Sequence, residues 1–149
     1  MSALIEKLNQ LDKLKTTTQP KWGRMTPQHM IEHLILAFKT GNGKLNVQCV
    51  YPPEKLQTLK KFLISERTLP KNFVNPMLGE NLQALVFSSL YEAIDNLKKE
   101  IDYFYDYFKT NPNSTLINLT FGELNFEEWE RFHLKHIRHH FEQFNIYEE

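Results

Sequence analysis

The segment "NFEEWERFHLKHIRHHFEQF", residues 125–144, constrains this chain more than any other. It holds twenty residues without a glycine or a proline, and its apolar positions recur every three or four residues. That is the period of one helical face and not the two-residue period of a strand. Asn125 supplies an N-cap, and Glu127 and Glu128 fall where the positive end of a helix favours carboxylates. The segment therefore predicts a helix from about Asn125 to Phe144. It also carries four of the six histidines of the chain, His133, His136, His139 and His140.

The same period runs through most of the sequence. Leu4, Ile5, Leu8, Leu11 and Leu14 mark an amphipathic helix over 3–15. Thr26 as N-cap and Pro27 at the first helical position open a second, which ends at "GNG" after Thr40. "PPEKLQTLKKFLISERTL" reads as a third, over 52–69, with Pro53 in its first turn. "PKNFVNPMLGEN" reads as loop. A long stripe from Leu82, Leu85 and Val86 through Ala93, Leu97, Ile101, Phe104 and Phe108 predicts a helix over 81–109. Residues 41–52 read as loop and "LINLTFGEL" as extended or irregular. Four or five helices, 5 glycines in all and no convincing strand pattern predict an all-α bundle, and 149 residues suit one domain over 1–149.

Composition excludes several classes. Lys+Arg and Asp+Glu balance at 18 each, so no electrostatic footprint argues for nucleic acid or an anionic membrane surface. No apolar run approaches the roughly 18 residues of a membrane helix. "MSALIEKLNQLDKLKT" lacks the basic start and unbroken apolar core of a signal peptide, and a single cysteine, Cys49, forbids an internal disulfide. A cytoplasmic protein is expected. "NST" at 113 and "NLT" at 118 match a glycosylation pattern, which without a secretion signal carries no weight.

All six histidines sit in two predicted helices. At about 100° per residue, His136 and His140 rise from one face of the last helix, one turn apart. Two imidazoles at that spacing can share one ion at roughly 2.0–2.1 Å. On the second helix His29 and His33 repeat the spacing, with His33 nearer the apolar face. One histidine from one helix and a pair from another make a three-nitrogen site with positions left open. His133 is expected as a hydrogen-bonded residue at the core edge, His139 toward solvent, and His29 at the surface or behind a ligand. Glu32 and Glu130 are candidate acceptors for ligand N–H groups. Trp22 and Phe121 are candidate walls of a cleft. Cys49 has no histidine near it in sequence and no expected role. In "IDYFYDYF", the aromatic surface exceeds what one stripe buries, and Tyr103 and Tyr107 read either as partly solvated or as a homodimer face or pocket wall.

"MTPQHMIEHL" at 25–34 and "LTFGELNFEEWERFHLKHIRHHFEQF" at 119–144 resemble the DinB/YfiT-like superfamily, most closely its DUF1569 branch. That branch typically ends in "FG.L..EEW..LH.KH..HH..QF", which Phe121, Gly122, Leu124, Glu127, Glu128, Trp129, His133, Lys135, His136, His139, His140, Gln143 and Phe144 fit. The motifs cover about a quarter of the chain. It departs from the branch at "INLT", where a His-Pro turn is expected. The resemblance implies a four-helix bundle, with short extra helices allowed in the connections. It also implies a metal-binding triad falling on His33, His136 and His140. Neutral imidazoles suit zinc, nickel or iron. Some relatives resemble metal-dependent hydrolases acting on small molecules, others thiol S-transferases using a low-molecular-weight thiol. A non-catalytic scaffold is the remaining expectation.

Overall fold

The computed structural model describes residues 2–71 and 82–149, so residues 72–81 of the loop expected over 70–81, and with them the first residue of the expected 81–109 helix, lie outside the described residues. The order is α1 (Ala3–Lys7), continuing as a 3-10 turn (Leu8–Lys13), α2 (Pro27–Thr40), α3 (Pro53–Ile64), α4 (Leu90–Thr110), β1 (Leu116–Asn118), β2 (Gly122–Leu124) and α5 (Phe126–Gln143). The protein is mostly helical, and the all-α expectation is corrected by one small antiparallel hairpin.

The helix starts follow local chemistry. Thr26 accepts from the His29 amide, and the His29 ring reaches back toward the Thr26 amide, a reciprocal cap that opens α2. Asn125 and Glu128 close the same box on α5. The α4 start differs from expectation. Ser89 caps the helix through the Glu92 amide, and Leu82, Leu85 and Val86 lie exposed ahead of it. The reason is tertiary: the Glu32 carboxylate takes the Val86 and Phe87 amide protons at 2.7 and 3.2 Å. Those amides are thus committed to α2. The predicted third helix also ends early, at Ile64, where Ser65 turns extended.

The hairpin is built around Asn118. Its buried side-chain oxygen accepts from the Thr120 and Phe121 amides at 2.9 and 3.1 Å, turning the chain so that Asn118 pairs with Gly122. Gly122 has φ +77°, a left-handed conformation that favours glycine, and an added Cβ there would lie 2.8 Å from Leu56. The hairpin delivers the chain into α5 and roofs Trp129, whose indole N–H donates to the Leu116 carbonyl.

The core gathers Met30, Ile31, Leu34 and Phe38 of α2, Ala93, Leu97, Ile101 and Phe104 of α4, and Trp129, Ile137 and Phe141 of α5. At the end of α2 the backbone comes close to α5. A Cβ on Gly41 would stand 2.7 Å from the Trp129 ring and 3.0 Å from His133 Nε2. That contact fixes how α2 lies on α5, and with it the meeting of His33 and His136. Among the described residues no helix is long and apolar enough to cross a membrane.

Candidate metal centre

His33 arrives on the inner face of α2, and His136 and His140 on successive turns of α5. All three are nearly buried, at 7%, 6% and 6% exposure. Their ligand atoms lie within 4.8 Å of one another. His136 Nε2 is 2.9 Å from His33 Nε2 and 3.1 Å from His140 Nε2. Two nitrogens held about 2.0–2.1 Å from one ion are about 2.9 Å apart at right angles and about 3.4 Å apart at the tetrahedral angle. The observed edges match the right-angled end of that range.

Protons alone satisfy this cluster poorly. Each neutral imidazole carries one N–H, yet three Nε2 atoms face one another, and His33 Nδ1 and His136 Nδ1 are buried without a hydrogen-bond partner. A buried polar atom without a partner costs on the order of 1–3 kcal/mol. A cation among the Nε2 atoms would take all three Nε2 lone pairs at once, with the ring protons on Nδ1, where those of His33 and His136 would still lack an acceptor among the described residues. The rings are also held neutral, as metal ligands must be. Burial, and then the charge of His139, brings His33 down to about 4. Burial drives His136 and His140 well below the ordinary histidine value, and each then repels the charge of the other rings.

The remaining sequence candidates separate cleanly. His29 shares the spacing of the α5 pair, but its ring caps α2, with Nδ1 2.7 Å from Thr26 Oγ1. His133 is buried as expected but not hydrogen-bonded: both ring nitrogens lack a partner, and the ring stacks on Phe38 at 3.7 Å. His139 is not solvated. It is 5% exposed, its ring packs edge-on to Trp22 at 5.6 Å, and it contacts the ring of His140 at 4.8 Å. Burial lowers its pKa, opposed by a hydrogen bond to the Leu69 backbone and by Glu142.

Neither carboxylate serves the ligands. Glu32 is taken up by the Val86 and Phe87 amides, and Glu130 accepts from the Tyr105 hydroxyl at 2.6 Å. The ligand N–H partner is Gln143, whose Oε1 lies 2.8 Å from His140 Nδ1. The i,i+3 spacing from His140 to Gln143 was its signal in the sequence. Trp22 does stand beside the cluster, whereas Phe121 is core, packed against Phe62 and Phe132. The ring lying against His136 is Phe132, at 5.3 Å. Among the described residues Cys49 Sγ reaches the Tyr51 and Thr120 carbonyls and no histidine. A surface hollow of about 390 Å³ beside α3, lined by Tyr51, Glu54, Lys55, Thr58 and Leu59, holds none of the histidines.

Fold and site together define a mostly helical protein with a buried three-histidine cluster spaced to hold a metal ion. Comparison with protein-family models, curated proteins and solved structures finds no match for this chain.

Proposed function

We propose that His33, His136 and His140 hold one divalent transition metal, zinc, nickel or iron, and that the protein is a metal-dependent hydrolase of a small molecule. In this reading the chain is a four-helix bundle of the DinB/YfiT-like kind, in its DUF1569 branch. The observation that carries it is the convergence of three buried Nε2 atoms, with His136 Nε2 2.9 Å from that of His33 and 3.1 Å from that of His140.

When bound, such an ion supplies a Lewis acid that makes water acidic near neutral pH or holds a thiol as its thiolate. The chain's own contribution is threefold. Three neutral donors from two helices would hold the ion, and among the described residues no carboxylate or cysteine joins them as a further candidate ligand. Phe132 and Trp22 place aromatic surface beside the ligand rings and near His139, excluding bulk water. The neutral donor set would leave the positive charge of an ion uncompensated, which would favour an anionic ligand beside it. That last feature also favours the second reading, a thiol S-transferase, because a thiolate is such a ligand.

The test is metal analysis of untagged protein, followed by ester, amide and thiol-transfer assays on the metal-loaded form. A hydrolase gives turnover of an ester or amide that disappears in His33→Ala. Thiol consumption without hydrolysis selects the transferase. A stoichiometric metal with no turnover, and no visible-spectrum response of the cobalt form to azide, selects a scaffold.

A further inference from the structure

Gln143 sits between the metal ligands and the chain that enters α2. Its side-chain Nε2 donates to the Trp22 carbonyl at 2.9 Å, and its own carbonyl accepts from the Lys21 amide at 2.7 Å. Gly23 has φ +80°, and an added Cβ there would lie 3.0 Å from Gln143 Nε2, so the loop passes the amide closely. On the other side, Gln143 Oε1 is 2.8 Å from His140 Nδ1. Gln143 as a whole is 5% exposed.

These contacts have a fixed polarity. A backbone carbonyl accepts only, so the amide nitrogen of Gln143 must face Trp22 and the amide oxygen must face His140. An amide oxygen accepts only, so His140 Nδ1 must carry the ring proton. A neutral imidazole has one proton, so His140 Nε2 is left with its lone pair. That is the atom 3.1 Å from His136 Nε2, at the centre of the triad.

We infer that Gln143 is a positioning residue: it passes the polarity of the Trp22 carbonyl to His140 and thereby sets the tautomer in which His140 binds metal. The inference rests on the metal reading above for its use, while the tautomer stands without it. The same side chain ties the loop bearing Trp22 to the site, so the orientation of the ligand and the placement of that loop are one device. Among the described residues His33 and His136 have no partner at Nδ1, whereas His140 has Gln143.

Two measurements test this. The first is the imidazole nitrogen spectrum of chelator-treated protein labelled at histidine, with His140→Ala supplying the assignment. His140 is expected as the Nδ1–H form, and an Nε2–H form would falsify the proposal whether or not the protein binds metal. The second is zinc competition against a chromophoric chelator. Gln143→Met removes the acceptor and is expected to weaken zinc by about 10–100-fold, the range for loss of an outer partner. Gln143→Glu keeps an acceptor for Nδ1–H but cannot donate to the Trp22 carbonyl. It is expected to restore zinc affinity to within about threefold of wild type, although both variants loosen the Trp22 loop and lower the melting temperature. Equal weakening by Met and Glu assigns Gln143 a purely structural role and overturns the inference, as does an unchanged affinity in Gln143→Met. Absence of zinc binding by the wild-type protein sinks the metal reading instead, and the nitrogen spectrum then decides the clamp alone.

Discussion

A neutral imidazole has two nitrogens and one proton, and burial forces each nitrogen to find a partner or go without. The five buried histidines resolve this differently. His33, His136 and His140 turn one nitrogen each toward a common point, His139 packs edge-on to Trp22, and His133 has no partner at either nitrogen among the described residues. His133 lies among Phe38, Phe104 and Trp129, and burial holds its pKa well below the ordinary value. The sign of the consequence is fixed. With the folded pKa below the unfolded one, about 6.5, the unfolded chain takes a proton that the folded chain refuses. The stability linked to His133 is intact above about pH 6.5 and is lost as pH falls below it toward the folded value. One refused proton steepens the fall by about 1.4 kcal/mol per pH unit. In chelator-treated protein, His133→Phe should therefore flatten the denaturant-measured stability between pH 6.5 and 5 by about that slope, whatever it does to stability at pH 7.5. An unchanged slope would show that His133 is protonated in the fold. The spacing of His136 and His140 was legible in the sequence because one turn of helix fixes it. The burial of His139 was not, because Trp22 and Leu69 come from distant parts of the chain.

At the scale of elements, local chemistry and tertiary contact divide the fold between them. α2 and α5 begin where the sequence says, because Thr26–Pro27 and Asn125–Glu128 are caps written within four residues. The start of α4 could not be read that way. Its apolar period runs back through Leu82, Leu85 and Val86, but Glu32, more than fifty residues away, holds the amides that a longer helix would need. The hairpin was hidden for a related reason: three-residue strands are too short for alternation to register, and a buried Asn118 makes the turn. The α2–α5 contact is set by the missing side chain of Gly41, against which Trp129 and His133 press. Gly41→Ala places a methyl 2.7 Å from the Trp129 ring, where neither rigid neighbour is free to move. Overpacking of this kind costs about 1–3 kcal/mol. The urea midpoint should fall accordingly with the slope unchanged, and metal affinity should fall too, since the same contact sets the approach of His33 to His136. Loss of stability with full metal affinity would mean that the two are uncoupled.

For the whole molecule, a metal at the triad ties residues 103 positions apart, His33 and His136, and so belongs to the folded state alone. An unfolded chain still offers His136 and His140 at local spacing, but not His33 with them. Binding to the fold therefore stabilises it by mass action, about 4 kcal/mol when the free ion is a thousand times its dissociation constant. For a chain of this size, roughly 2–4 °C accompanies each kcal/mol, so zinc at that excess should raise the melting temperature by roughly 8–16 °C. The rise should grow with the logarithm of free zinc and vanish on chelation. The ligand assignment then predicts a pattern among single variants. His33→Ala, His136→Ala and His140→Ala should each remove most of the rise. His139→Ala, a neighbour of the ligands that is not among them, should lower the melting temperature through lost packing on Trp22 yet retain the rise. Thermal scans of the four variants across a zinc series decide the matter. Loss of the zinc response in His139→Ala, with its retention in His33→Ala, would place the ion on α5 alone and break the link between α2 and α5 on which the three-histidine site depends.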